Sequence, residues 1–178
     1  MFVSVQELEL RKLPFDLDFA AGEIDLGGLR QVGPLHAEGQ AELLSNTLGA
    51  LRITGRVRAE VETDCDRCLE PVRRPIDSEF DLFYRPAPDK NTPHELAIDE
   101  GEAEIAFYQG GGIELAEVLR EYILLSLPMQ QICKEECQGI CPQCGLNRNT
   151  GGRCQCENKL VDERWTALRD LKVGPPKQ

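Results

Sequence analysis

Eight cysteines constrain this chain more than any other feature: Cys65, Cys68, Cys133, Cys137, Cys141, Cys144, Cys154 and Cys156. Six of them fall within the 24 residues from 133 to 156, among Gly139, Gly145, Gly151 and Gly152. That is not the composition of a packed core, so the segment needs either disulfides or a metal ion to hold it. A disulfide framework belongs to small, cysteine-dense secreted chains, usually behind a signal peptide. This chain has 178 residues and opens Met1-Phe2-Val3-Ser4-Val5-Gln6-Glu7, with no basic n-region and no apolar signal core. The thiols are therefore read as metal-binding thiolates in a reducing cytoplasm.

Spacing supports metal. Cys65-Asp66-Arg67-Cys68 and Cys141-Pro142-Gln143-Cys144-Gly145 are both C-x-x-C pairs. In the second, Pro142 presets one turn dihedral and Gly145 can take a positive one, which aims backbone N–H groups at the sulfurs. Cys133 and Cys137 form a C-x-x-x-C pair, and Cys154 and Cys156 a C-x-C pair. Eight ligands divide into two tetrahedral all-cysteine sites, the closed arrangement of structural zinc. The preferred partition puts Cys141, Cys144, Cys154 and Cys156 on one ion. Cys65, Cys68, Cys133 and Cys137 then share another, stapling the C-terminal region to a strand end far earlier in the chain. The alternative is one ion in the 133–156 cluster, with Cys65 and Cys68 as spectators.

A redox dithiol is the rival for Cys65 and Cys68. A reactive thiol needs an electropositive setting, whereas Asp64, Asp66 and Glu70 surround this pair against Arg67 alone. No thioredoxin-like βαβ pattern encloses it, so a thiol oxidoreductase is the weakest reading. Catalytic zinc keeps an open position and commonly uses His or a carboxylate. Neither His36 nor His94 sits in a catalytic motif, and H-E-x-x-H, G-x-S-x-G and P-loop signatures are absent from the sequence. The expectation is a non-enzyme with no small-molecule substrate.

Charge narrows the partners. With 31 acids against 20 bases the formal net charge is −11, and the acids concentrate in 1–51 and 77–121. Coating nucleic acid with the whole surface is disfavoured, because that works by neutralising phosphates. A local basic face is still compatible with these numbers. No apolar run approaches the ~18 residues of a membrane helix; the longest, 122–127, is broken by Ser126.

Along the chain, 51–63 alternates with period two. Leu51, Ile53, Val57, Ala59 and Val61 point one way, and Arg52, Thr54, Arg56, Arg58, Glu60 and Glu62 the other. Residues 35–44 and 76–84 read as neighbouring strands, and 102–108 as a further one. The Cys65–Cys68 pair then lies in a connection between antiparallel strands. Gly110-Gly111-Gly112 reads as a turn, since no Walker lysine follows. Leu115, Val118, Leu119, Tyr122 and Ile123 share one helical face over 113–127, and Pro128 stops the run. A short terminal helix is expected over 162–172, with Trp165, Leu168 and Leu171 on one face.

The order of these features resembles the bacterial YceD family of large ribosomal RNA subunit accumulation proteins. The residues that carry the resemblance are Cys65-Asp66-Arg67-Cys68-Leu69-Glu70-Pro71, a helix running into Leu127-Pro128-Met129, Cys137-Gln138-Gly139-Ile140-Cys141-Pro142-Gln143-Cys144-Gly145-Leu146-Asn147, and the closing Cys154-Gln155-Cys156. The likeness extends from about residue 30 to Leu171. It implies a role in the accumulation or assembly of large-subunit ribosomal RNA. Some members lack much of the late cysteine cluster, which implies that zinc stabilises this branch and is not a shared catalytic centre.

The expected protein is α+β: an antiparallel sheet, open or barrel-like, with one core helix, occupying 1–128. A cysteine-rich zinc module with the terminal helix occupies 129–178. The partner is a large-subunit ribosomal RNA precursor or a ribosomal protein. Candidate contacts are Arg52, Arg56 and Arg58 on the strand face and Arg148 and Arg153 in the zinc module. The alternative is an adaptor whose acidic 77–121 surface captures a basic ribosomal protein. Two four-thiolate zinc sites would take the formal charge from −11 to about −15.

Overall fold

The structure, a computed structural model, describes residues 1–47, 49–88, 105–151 and 154–156. Its spine is a long hairpin of β5 (Leu51–Asp64) and β6 (Pro71–Pro86), paired in register from Leu51↔Tyr84 to Asp64↔Pro71. The period-two pattern explains why these segments are strands and which face they bury. Leu51, Ile53, Val57, Ala59 and Val61 of β5 are buried beside Ile76, Phe80 and Tyr84 of β6. Alternate Arg, Thr, Asp and Glu side chains stay on the wet face.

β4 (Leu35–Leu43) runs antiparallel to β5 but covers only its first half, from Leu43↔Leu51 to His36↔Arg58. β2 (Leu13–Phe19) pairs with β4, and the two-residue β3 (Arg30–Gln31) pairs with Glu62 and Val61 beyond the end of β4. β7 (Ile105–Tyr108) lies beside β6. The main sheet thus has the order β2-β4-β5-β6-β7, with β3 on the flank of β5. The hairpin outruns β4, so its turn projects past the sheet and carries the first cysteine pair away from the main core.

Two expectations are corrected. Among the described residues the sheet is open, with β2 and β7 as its ends, and they form no barrel. Closing a barrel requires the edge strands to meet; here a helix contributes to the core beneath the apolar face instead. The sheet is also not wholly antiparallel, because β6 and β7 are parallel. The connection over 87–104 is long enough for the crossover that a parallel pair needs. The strand expected from 102 is described from Ile105 onward; 102–104 lie outside the described residues, as does the helix expected over 162–172.

The covering helix is α2 (Leu115–Ser126). Leu115, Val118, Leu119 and Ile123 are buried in the same cluster as the inward residues of β2, β4, β5 and β6. The Tyr122 hydroxyl reaches Ser78 Oγ and the Glu79 carbonyl, both at 3.0 Å, and its ring tilts against Phe80 at 5.2 Å. The helix begins two residues later than the pattern predicts. Ile113 belongs to β8 (Gly112–Glu114), which pairs with β1 (Phe2–Ser4) in a separate two-stranded sheet. A short helix, α1 (Val5–Leu10), follows β1 and buries Leu8.

One row across the sheet shows how closely its strands fit. Phe15, Gly39, Gly55 and Phe80 are successive partners on β2, β4, β5 and β6. The two central positions have no side chain, and the flanking rings lean over them. A Cβ at Gly39 would stand 2.8 Å from the Phe15 ring, and one at Gly55 2.8 Å from the Phe80 ring.

Candidate metal centres

The projecting turn is built by the backbone of its own cysteines. Leu69 N–H donates to the Cys65 carbonyl at 2.9 Å, and Cys65 N–H donates to the Glu70 carbonyl at 2.8 Å. The second C-x-x-C pair repeats this: Gly145 N–H donates to the Cys141 carbonyl at 2.9 Å, and Cys141 N–H to the Leu146 carbonyl at 2.8 Å. Both closing residues adopt left-handed backbone, φ 62° at Leu69 and φ 72° at Gly145. The two turns are therefore one motif used twice, and each curls amide groups toward its leading sulfur.

The remaining cysteines complete two quartets. Sγ atoms of Cys65, Cys68, Cys133 and Cys137 lie within 4.8 Å of one another, and so do those of Cys141, Cys144, Cys154 and Cys156. Cys65–Cys137 and Cys68–Cys133 are 3.9 and 3.6 Å apart; Cys144–Cys154 and Cys141–Cys154 are 3.6 and 3.3 Å apart. A tetrahedral ion with sulfurs at ~2.3 Å sets sulfur–sulfur edges of about 3.8 Å. All eight thiols are free. Either quartet can thus hold a metal ion, and the grouping is the expected two-site partition, with Cys65 and Cys68 as full members of the first.

Electrostatics point the same way. Burial is the largest influence on Cys65 and raises its pKa, but amides of Arg67, Cys133 and Cys68 together overcome it and bring the thiol down to about 6. Cys141 is likewise brought to about 6, led by the amides of Cys144 and Gln143. For Cys68 the Glu70 amide acts downward, yet burial and the sulfurs of Cys65, Cys137 and Cys133 push it up to about 12. Cys156 rises to about 12 beside Cys154 and Cys144. Within each quartet some thiols ionise readily and thereby hold others protonated. A bound cation would remove that conflict and let all four act as thiolates.

The first quartet joins residues more than sixty positions apart, and several polar side chains hold the later segment against the turn. Asp66 N–H donates to the Gln131 carbonyl at 2.7 Å, while Gln131 N–H donates to Asp66 Oδ2 at 2.6 Å. Arg74 Nη2 donates to the Ile132 carbonyl at 2.8 Å, and Arg67 Nη1 to the Cys137 carbonyl at 3.2 Å. Ile140 N–H donates to the Arg67 carbonyl, where Gly139 passes so close that a Cβ would stand 2.9 Å from that oxygen. Asn149, in the short 3-10 turn Arg148–Thr150, donates Nδ2–H to Cys137 Sγ at 3.3 Å. Spacing marks the ligands, and Arg67 stands out as a base beside them, but nothing in the sequence marks Asp66, Arg74 or Asn149 as their supports. A polar residue in a loop looks the same in sequence whether it caps a sulfur or faces water.

The candidate arginines have a different setting. Arg52 makes a two-pronged contact with Asp81 at 2.8 and 2.7 Å, and its guanidinium lies 5.6 Å from the Phe83 ring centre. Arg56 grips Asp77 at 2.6 and 3.0 Å; Arg58 reaches Glu38 at 3.1 Å and Asp77 at 3.8 Å. Hydrogen bonds from these guanidiniums are the leading cause that holds the Asp77 and Asp81 carboxyls below their usual range. Glu62 lies between Arg30 and Arg73 on the same face. The arginines are thus rungs of a charge ladder that also carries Glu79 and, on β2, Asp16 and Asp18. His36 stands on it too, with Nδ1 2.9 Å from Asp18 Oδ1. Arg148 is half-buried and makes no ion pair among the described residues; Arg153 lies outside them.

The fold and these sites define a class: an open-sheet α+β protein whose longest hairpin ends in a cysteine quartet shared with a C-terminal cysteine-rich segment. The chain belongs to the YceD family, the large ribosomal RNA subunit accumulation proteins, whose family model matches residues 53–172. That match begins inside β5, later than the residue near 30 expected from the motifs. Among curated proteins it is similar to a maize protein named large ribosomal RNA subunit accumulation protein YCED homolog 1, chloroplastic. The two are 27% identical over 168 residues, covering 82% of this chain and 56% of the maize protein. An uncharacterised protein of Mycobacterium tuberculosis H37Rv is 32% identical over 128 residues, covering 69% of this chain and 56% of its own length. An uncharacterised Bacillus subtilis protein is 25% identical over 147 residues. The chain thus spans little more than half the length of the maize and mycobacterial relatives. No solved structure matches it. No helix among the described residues is long and apolar enough to cross a membrane.

Proposed function

We propose that this protein is a non-enzymatic factor in the build-up of the large ribosomal subunit, acting in the cytoplasm by binding a ribosomal component. Family membership supports the pathway. Each cysteine quartet holds a structural zinc ion in this reading, because four thiolates fill the tetrahedron and leave no position for substrate or water. The ions keep the module at 129–178 shaped and attached to the sheet body at 1–128; they carry out no reaction.

The observation that favours one kind of partner is the charge ladder. Phosphate binding needs guanidiniums with charge to spare. Those of Arg52, Arg56 and Arg58 are matched to Asp81, Asp77 and Glu38, with further carboxylates on the same face. Such a face suits a basic polypeptide, and the chain's net charge of −11 would speed its capture. A basic ribosomal protein is therefore the preferred partner for the sheet. Direct contact with ribosomal RNA is the second reading and belongs to the cysteine-rich module, where Arg148 has no carboxylate partner among the described residues.

Purified zinc-loaded protein should be mixed separately with large-subunit ribosomal proteins and with precursor RNA fragments over a range of salt. We expect salt-sensitive binding to a basic ribosomal protein that Glu79→Lys weakens. RNA binding that survives Glu79→Lys and is lost in Arg148→Glu would favour the second reading. If neither component bound, and cells lacking the protein accumulated large-subunit RNA normally, the proposal would fail.

A further inference from the structure

One side chain from the loop of the second quartet reaches a sulfur of the first. Asn149 sits in the nine-residue loop between Cys144 and Cys154, so it belongs by sequence to the second quartet. Its side chain nevertheless serves the first. Nδ2–H donates to Cys137 Sγ at 3.3 Å, while Oδ1 accepts the Gln138 N–H at 3.0 Å. Asn147 holds the turn in place: its Oδ1 accepts from Asn149 N–H at 2.9 Å, and its Nδ2–H donates to Glu70 at 3.0 Å.

Backbone bonds hold the first part of this loop: Arg148 N–H donates to the Gly139 carbonyl at 2.9 Å, and Ile140 bridges to Asn147. The 3-10 turn buries none of its residues, and Leu146 at its start is exposed. What brings its ends together is the approach of Cys144 to Cys154, 3.6 Å between sulfurs. A cation on the second quartet would bind both ends and close the loop; without one, closure costs chain entropy that the loop's own hydrogen bonds offset only in part. Asn149 is then held on Cys137 more firmly when the second quartet is closed. An N–H group aimed at a metal-bound thiolate spreads its charge and favours the bound state.

We infer that Asn149 is a positioning residue that couples the two centres, so that filling the Cys141/Cys144/Cys154/Cys156 quartet raises the affinity of the Cys65/Cys68/Cys133/Cys137 quartet for its ion. This rests on the reading of both quartets as metal sites. Linkage makes the effect mutual: the first ion strengthens the second by the same factor.

The test is titration of the full chain with cobalt(II), whose sulfur-to-metal charge-transfer bands report each tetrathiolate site. Three variants are compared with the parent: Cys144→Ser/Cys154→Ser, which disables the second quartet; Asn149→Asp, which keeps an acceptor for Gln138 N–H but removes the donor to Cys137; and their combination. Disabling the second quartet should weaken cobalt binding at the first by about tenfold or more. Asn149→Asp should do the same with the second quartet intact, and should move the first quartet's charge-transfer band to lower energy. The same shift should accompany Cys144→Ser/Cys154→Ser, because opening the loop withdraws the same donor; weakening of the first quartet without that shift would show that Asn149 does not carry the coupling and would overturn it. The combined variant should be little worse than either alone. Two quartets that fill independently, or losses that multiply in the combined variant, would overturn the coupling. Absence of charge-transfer bands from both quartets would overturn the metal reading, and the coupling with it.

Discussion

Leu69 and Gly145 occupy the same place in two copies of one turn, and only one of them suits it. Left-handed backbone costs an ordinary residue roughly 1–2 kcal/mol, and Leu69 is also 63% exposed, so packing returns little. In zinc-loaded protein unfolded by urea, Leu69→Gly should therefore raise stability by about 0.5–1 kcal/mol, while Gly145→Val should lower it by more than about 1 kcal/mol. Glycine after the second C-x-x-C announces its turn in the sequence; leucine after the first gives no such notice. The pH response also belongs at this scale. Protons compete with the metal for thiolates, so affinity falls as pH falls. Cys65 and Cys141, brought to about 6 by their amide neighbours, are expected to be among the last to take up protons. A chromophoric chelator should record metal release as pH drops from 7 towards 5 and none as it rises from 7 to 9.

Among the elements, the strands were legible because alternation is a local property. The inward set of β5 follows from spacing alone, as does the inward stripe of α2. Openness of the sheet and the parallel setting of β7 were not legible, because they depend on which edges meet across the long 87–104 connection. The Gly39–Gly55 hollow also escapes sequence reading: two glycines in strands look like weak points until their register sets them side by side beneath Phe15 and Phe80. Gly55→Ala would set a methyl against the Glu38 carbonyl oxygen as well as against the Phe80 ring, and should destabilise the protein by about 3 kcal/mol, visible as a lower thermal midpoint. A more severe effect is expected for Gly39→Ala, whose new methyl would stand closer to the Thr54 carbonyl oxygen than one at Gly55 does to that of Glu38, and 2.7 Å from Gly55 Cα, against 3.2 Å for the corresponding contact at Gly55.

At the scale of the whole molecule, two apolar clusters divide the labour. One is large and lies between the sheet and α2; the other contains little more than Cys65, Cys68, Val72 and Cys137, with Ile132 beside them. Only the second depends on sulfur. Intact-mass measurement under native conditions should find two zinc ions per chain. Stripping them with a strong chelator should remove hydrogen-exchange protection from 65–70 and 129–151 while leaving the β-sheet signal in circular dichroism nearly unchanged. The reach of the first quartet also sets an order of events during synthesis. Cys65 and Cys68 leave the ribosome long before Cys133 and Cys137, so the hairpin must wait with a half-made clasp until the later pair emerges. With zinc in the quartets as proposed, metal supply would act as a checkpoint on newborn chains: where zinc is scarce, sheets would accumulate with loose tails, ready for proteases.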